Sequence, residues 1–93
     1  VPVSASKSSD EQKKAWRRAR LLVGTAVREE RIRAGRAQEA LALDSGVTRN
    51  MLIHIEHGSR GVRFERIYDL AKALGVNASA LLPPRDAPSG ETE

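Results

Sequence analysis

Cysteine is absent from the sequence, which excludes a disulfide framework and a thiolate zinc site as sources of stability and lends no support to secretion. Packing alone must hold the fold. No apolar run approaches the roughly 20 residues that a membrane-spanning helix needs, and Val1 to Ser9 lacks the continuous apolar stretch of a signal peptide. A soluble, cytoplasmic protein with no membrane partner is expected. Neither a Walker loop nor a nucleophile elbow is present. With 93 residues, the chain is also too short for two independently stable cores, so it reads as one domain with ends.

Charge is present in excess of one sign: 16 Lys and Arg against 12 Asp and Glu, a formal +4, which favours an anionic partner. It is unevenly spread. Residues 1–20 carry six cations (Lys7, Lys13, Lys14, Arg17, Arg18, Arg20) against Asp10 and Glu11, whereas 83–93 carry Arg85 against Asp86, Glu91 and Glu93. The middle holds nearly all the large aliphatic residues. Both ends read as disordered tails, 1–9 and 83–93, because Ser-rich and Pro/Gly/acid-rich segments cannot offset their ordering entropy by burial. The folded domain is expected over 10–82, with its core at 22–82.

Apolar residues of this body recur at three and four rather than two, so it reads as all-α, with no sheet. A first helix opens at Ser9 with Gln12 as its capping-box partner and stops near Ala34-Gly35. Its apolar stripe runs through Ala15/Trp16, Ala19, Leu22/Val23 and Ala26/Val27. The second covers Ala37 to Ser45, with Leu41 and Ala42 inward, and ends at Gly46. A third starts behind Thr48, buries Leu52 and Ile55, and closes at Gly58. Phe64 to Leu74 forms the fourth, burying Ile67, Leu70, Ala71 and Leu74. Asn77 then caps a last turn or two carrying Leu81 and Leu82. Five helices are expected.

Ser45-Gly46-Val47 joins two short helices through a sharp turn, the helix-turn-helix pattern. With Gln38-Glu39-Ala40-Leu41-Ala42, Gly46-Val47-Thr48, Leu52, Ile55-Glu56-His57-Gly58 and Leu70-Ala71-Lys72-Ala73-Leu74-Gly75-Val76, the stretch Val23–Leu82 resembles the Cro/C1-type (XRE-type) helix-turn-helix domain of phage repressors and bacterial regulators. The resemblance implies a compact, lambda-repressor-like domain that binds double-stranded DNA and regulates transcription, here expected to be a repressor. No catalysis, metal or cofactor is expected.

On a wheel at about 100° per residue, Leu52 and Ile55 share one side of the third helix, while Arg49, Asn50, Ile53, His54 and His57 face away. Such a polar face suits a major groove, where Asn bonds adenine, Arg forks onto guanine and His meets base edges. Arg49, Asn50 and His54 are the expected base readers, with Thr48 near a phosphate or thymine methyl and Ile53 near thymine methyls or a protein. The bland alternative is a solvated helix face. The resemblance implies that Gln38 bonds a phosphate and braces the recognition helix, and that the loop after the third helix follows the DNA backbone. Ser59, Arg60 and Arg63, with Arg36 beside the second helix, are the further phosphate candidates. It also implies a structural ion pair between Arg31 and Glu56.

Departures from the family pattern are informative. Ala37 stands where a Ser or Thr N-cap is common, and Glu30 replaces a commonly apolar residue. The 10–20 extension, as helix, overhangs the usual start by roughly 10 Å. Trp16 is expected against Leu81 and Leu82 or against a second protomer. Lys13, Lys14, Arg17 and Arg18 then face DNA phosphates or solvent equally well. A weak homodimer on DNA, or a protein partner engaged through Trp16 or Ile53, is compatible with the sequence, and an antitoxin built on the same fold is the serious rival. Two thinner rivals are a metal grip at His54 and His57, which lacks a recognisable third ligand, and an RNA-binding GxxG loop at Gly58-Ser-Arg-Gly61, which needs a sheet.

Overall fold

A computed structural model of the chain describes residues 9–82; the rest of the two expected tails lies outside that range. The order is α1 (Asp10–Arg33), α2 (Gln38–Ser45), α3 (Arg49–His57), α4 (Phe64–Leu74) and a short 3-10 turn (Ala78–Leu81). No strand occurs among the described residues.

Local chemistry sets the helix ends. The Ser9 hydroxyl accepts from the Gln12 amide at 3.0 Å while the Gln12 side chain accepts from the Ser9 amide at 3.1 Å, a complete capping box. Ser9 is therefore the N-cap of α1, as its pairing with Gln12 predicts. Thr48 caps α3 in the same sense, its hydroxyl accepting from Met51 at 3.0 Å. Gly46 takes φ 82° to end α2, a left-handed conformation that a side chain resists, and this permits the tight corner into α3. Val47 is buried beneath that corner. As expected from Ala37, α2 has no side-chain cap, although Ala37 holds an extended N-cap conformation at φ −74° and ψ 156°. Replacing Ala37 with Ser should therefore raise stability by about 1 kcal/mol, read as a higher midpoint in urea unfolding. A midpoint at or below the parent's would show that the α2 amides already have better partners.

The fifth helix is a correction. Only a 3-10 turn forms, and Asn77 makes no side-chain cap; its backbone carbonyl instead accepts from Ala80 at 2.9 Å. Proline follows Leu82 in the sequence and disfavours helical geometry in the residue before it; Leu82 is extended at φ −101° and ψ 131°. Leu81 alone of that pair is buried.

The core consists of Val23, Val27, Leu41, Ala42, Val47, Leu52, Ile55, Ile67, Leu70, Ala71 and Leu81. It sits where α1 lies on α3 and α2 lies on α4, with the 3-10 turn closing against α4 and α1. Its side chains are aliphatic, and Leu74, expected inward, is only partly buried at the rim. The apolar stripe read along α1 is buried only from Val23 onward. Asp10–Leu22 thus forms a helical overhang of roughly 20 Å before the first core position.

Candidate nucleic-acid interface

The face opposite the core on α3 is built from its first two turns. Arg49 and Asn50 are exposed immediately after the Thr48 cap, Ile53 and His54 are half-buried, and His57 is exposed at the far end. Leu52 and Ile55 anchor the other side. The Thr48 hydroxyl is already committed to the helix start.

Behind this face sits a charged clamp. Glu56, its side chain 2% exposed, receives the Arg31 guanidinium in two parallel hydrogen bonds, Nε to Oε2 at 2.7 Å and Nη2 to Oε1 at 3.1 Å. Gln38 donates its side-chain amide to the same carboxylate at 3.0 Å. Arg31 also donates to the Arg36 carbonyl at 2.8 Å. One carboxylate thereby joins α1, the first residue of α2 and the last turn of α3, which fixes the attitude of the exposed face. Among the described residues no buried side-chain polar atom lacks a partner.

A second fixture is made of backbone. Gly24 of α1 packs so closely on α3 that a β-carbon there would press on the Ile55 carbonyl oxygen and lie 2.7 Å from that of Glu56. Gly58, ending α3, meets the α1 backbone at Leu21 in the same way. Nearby, Arg20 donates Nε to the Gly58 carbonyl at 3.4 Å. Val23-Gly24 belongs to the stretch that carries the family resemblance, but how closely Gly24 approaches α3 is a tertiary fact that no spacing in the chain announces.

The loop from Ser59 to Arg63 keeps Ser59, Arg60 and Arg63 exposed. The Ser59 hydroxyl lies 2.9 Å from His54 Nδ1 and donates to the His54 carbonyl at 3.3 Å. Arg63 is the N-cap residue of α4, whose first amides receive no side-chain cap.

Arg36, expected at a phosphate, already has partners within the protein: it pairs with Asp44 and donates to the carbonyls of Ala73 and Ala40 at 3.3 Å each. It staples α2 to the end of α4. Trp16, expected near Leu81 and Leu82 or against a second protomer, borders an open groove of about 330 Å³ with Ala19, Arg20, Val23, Ile55, Arg60, Gly61 and Val62. Its indole remains 49% exposed. As for the His54 and His57 pair, the described residues contain no group of three or more His, Cys, Asp or Glu able to hold a metal ion.

A short capped helix held by its apolar side, with a second helix braced across its base and a basic loop behind it, defines a helix-turn-helix DNA-binding domain. Comparison with known proteins agrees. Residues 27–81 match the helix-turn-helix family, and the chain belongs to that family, of Cro/C1 type, whose members are non-enzymatic DNA-binding transcriptional regulators. It is 39% identical over 64 residues to the control protein C.BamHI of Bacillus amyloliquefaciens, covering 68% of this chain and 79% of that one. It is 36% identical over 67 residues, 72% and 87% of the two chains, to the uncharacterized HTH-type transcriptional regulator y4dJ of Sinorhizobium fredii. Among solved structures, the restriction-modification controller protein C.AhdI from Aeromonas hydrophila superposes with a TM-score of 0.69 at 33% identity, covering 71% of this chain and 96% of that one. The clp gene regulator ClgR from C. glutamicum gives 0.65 at 28% identity, covering 68% and 82%.

Proposed function

We propose that this regulator reads a specific duplex sequence by laying α3 in the major groove and represses transcription by occupying its site. The observation that carries the reading is the pair Arg49 and Asn50, exposed on the first turn of a helix whose opposite side is locked by Gly24 and the Glu56 clamp. A fixed helix lets two side chains meet base edges in one register. His54 meets a base edge, and Ile53 and Thr48 border thymine methyls. Ser59, Arg60 and Arg63 follow the phosphates, and Gln38, bonded to Glu56, supports α3 from beneath with its backbone amide near the start of α2. The likeness to the control proteins of restriction-modification systems favours genes of that kind as targets.

Selection of bound duplexes from a random pool tests this. A defined site should emerge. Arg49→Ala should relax preference at one base pair, at a cost of about 1–3 kcal/mol for that pair. Arg60→Ala should weaken every duplex alike and flatten the salt dependence by about one phosphate contact. The reverse pattern would overturn this division between reading and holding. A pool that yields no preferred sequence, with tight binding to a protein partner instead, would favour the antitoxin-like reading.

A further inference from the structure

We infer that the helical overhang at the start of α1 is a second DNA-backbone surface, carried by Lys13, Arg17 and Arg20, which lengthens the footprint of the Ser59–Arg63 loop. This rests on the reading of α3 as the DNA-facing helix. Three contacts fix which side of α1 faces α3: Arg31 bonds Glu56 at 2.7 Å, Gly24 packs on the Ile55 and Glu56 carbonyls, and Arg20 bonds the Gly58 carbonyl at 3.4 Å. These residues are spaced seven and four apart, and the same stripe continues three and four residues further to Arg17 and Lys13. At about 100° per residue all five fall within roughly 60° of arc. Helix α3 ends at His57 while α1 runs on, so Lys13 stands roughly 10 Å beyond Arg20 along the axis.

That end of the helix borders the recognition loop. Trp16 and Arg20 share one groove with Arg60, Gly61 and Val62, which sets the stripe and the loop cations side by side as one basic band. Lys13 and Arg17 are exposed. No Asp or Glu occurs from Gln12 to Arg28, so Arg17 and Arg20 have no carboxylate three or four residues away along the helix, whereas Lys13 has Asp10 at that spacing. Asp10, in the first turn, closes the stripe at its outer end. Lys13 with Arg17, and Arg17 with Arg20, are like-charge pairs at helical contact spacing, which isolated helices disfavour. A polyanion relieves that repulsion, and the regular spacing along a rod fits a row of phosphates better than an apolar protein surface.

The test uses the 93-residue chain and a duplex chosen by the selection above, titrated by fluorescence anisotropy from 0.05 to about 0.3 M salt. Lys13→Gln with Arg17→Gln keeps helix propensity and lies outside the core. At about 0.9 per phosphate, the slope of log affinity on log salt should fall by about 1.8, and binding at 0.15 M salt by about 30-fold, with the selected-to-scrambled ratio unchanged. Arg33→Gln with Lys72→Gln, an equal loss of charge off the stripe, should leave the slope unaltered. A stripe variant with the parent's slope, or an equal loss in the control pair, overturns the proposal while α3 reading stands. Failure of the parent protein to bind any duplex removes the DNA reading, and this surface with it.

Discussion

Gly24→Ala is expected to lower the stability of the domain by about 3 kcal/mol, the upper part of the range for forcing extra volume into a packed interior. For a domain of this size that corresponds to a fall of about 15 °C in Tm. The cause is not backbone strain, because Gly24 lies mid-helix; it is that the new methyl group meets the carbonyls of Ile55 and Glu56, which belong to α3 and cannot rotate away as a side chain would. The two helices must move apart, and the exposed face of α3 moves with them. Gly46→Ala provides the contrast. There φ is 82° but a β-carbon would have nothing within 4 Å, so the cost should be only the left-handed penalty of about 1–2 kcal/mol. Thermal unfolding of the two variants separates the mechanisms; equal losses would mean that the α1–α3 crossing is softer than its geometry indicates.

Arg31→Met should be comparably damaging, for a reason of charge. It leaves the Glu56 carboxylate buried with only the Gln38 amide as a side-chain partner, and an uncompensated buried charge costs about 3–5 kcal/mol. Arg31→Met combined with Glu56→Leu should recover much of that loss, since replacing both members of a buried pair by apolar groups is often near neutral. Urea titration of the two single variants and the double gives the coupling directly. A loss under about 1 kcal/mol for Arg31→Met would place the pair with ordinary surface bridges. DNA binding by the double variant is informative in its own right: if stability returns but affinity does not, the clamp acts on the attitude of α3 rather than on folding.

Much of the architecture was legible in the residues. Ser9 with Gln12, Thr48 before Arg49, and glycines at 46, 58 and 75 announce helix ends through local hydrogen bonding and backbone freedom, and the structure realises each within a residue. Core positions on α2, α3 and α4 followed from helical periodicity, with Leu74 the exception at the rim. The fifth helix was over-read, because a few residues ahead of a proline can close a 3-10 turn but not a full α-helical one. On α1 the apolar stripe was followed too far toward the N-terminus: periodicity marks which side of a helix is apolar, but not where its neighbours end.

Family likeness implied the Arg31–Glu56 pair and a Gln38 that bonds a phosphate and braces the recognition helix; the structure has the Gln38 side-chain amide on Glu56. Arg36 and Asp44 are eight residues apart, a spacing without local meaning, so no pattern in the chain pairs them. Trp16 borders a groove with residues of the α3–α4 loop, neighbours that likewise no spacing in the chain announces.

By itself, then, the order of residues determined the helices, their caps, the apolar sides they bury and the polar side that α3 presents, because these depend on interactions within a few residues of one another. Only the tertiary structure decided how closely α1 and α3 approach, which cations are already partnered and which remain outward, and that the overhang runs beside the recognition loop. Those outcomes depend on groups distant in the chain competing for the same space and the same hydrogen bonds, and that competition is resolved only when the helices meet.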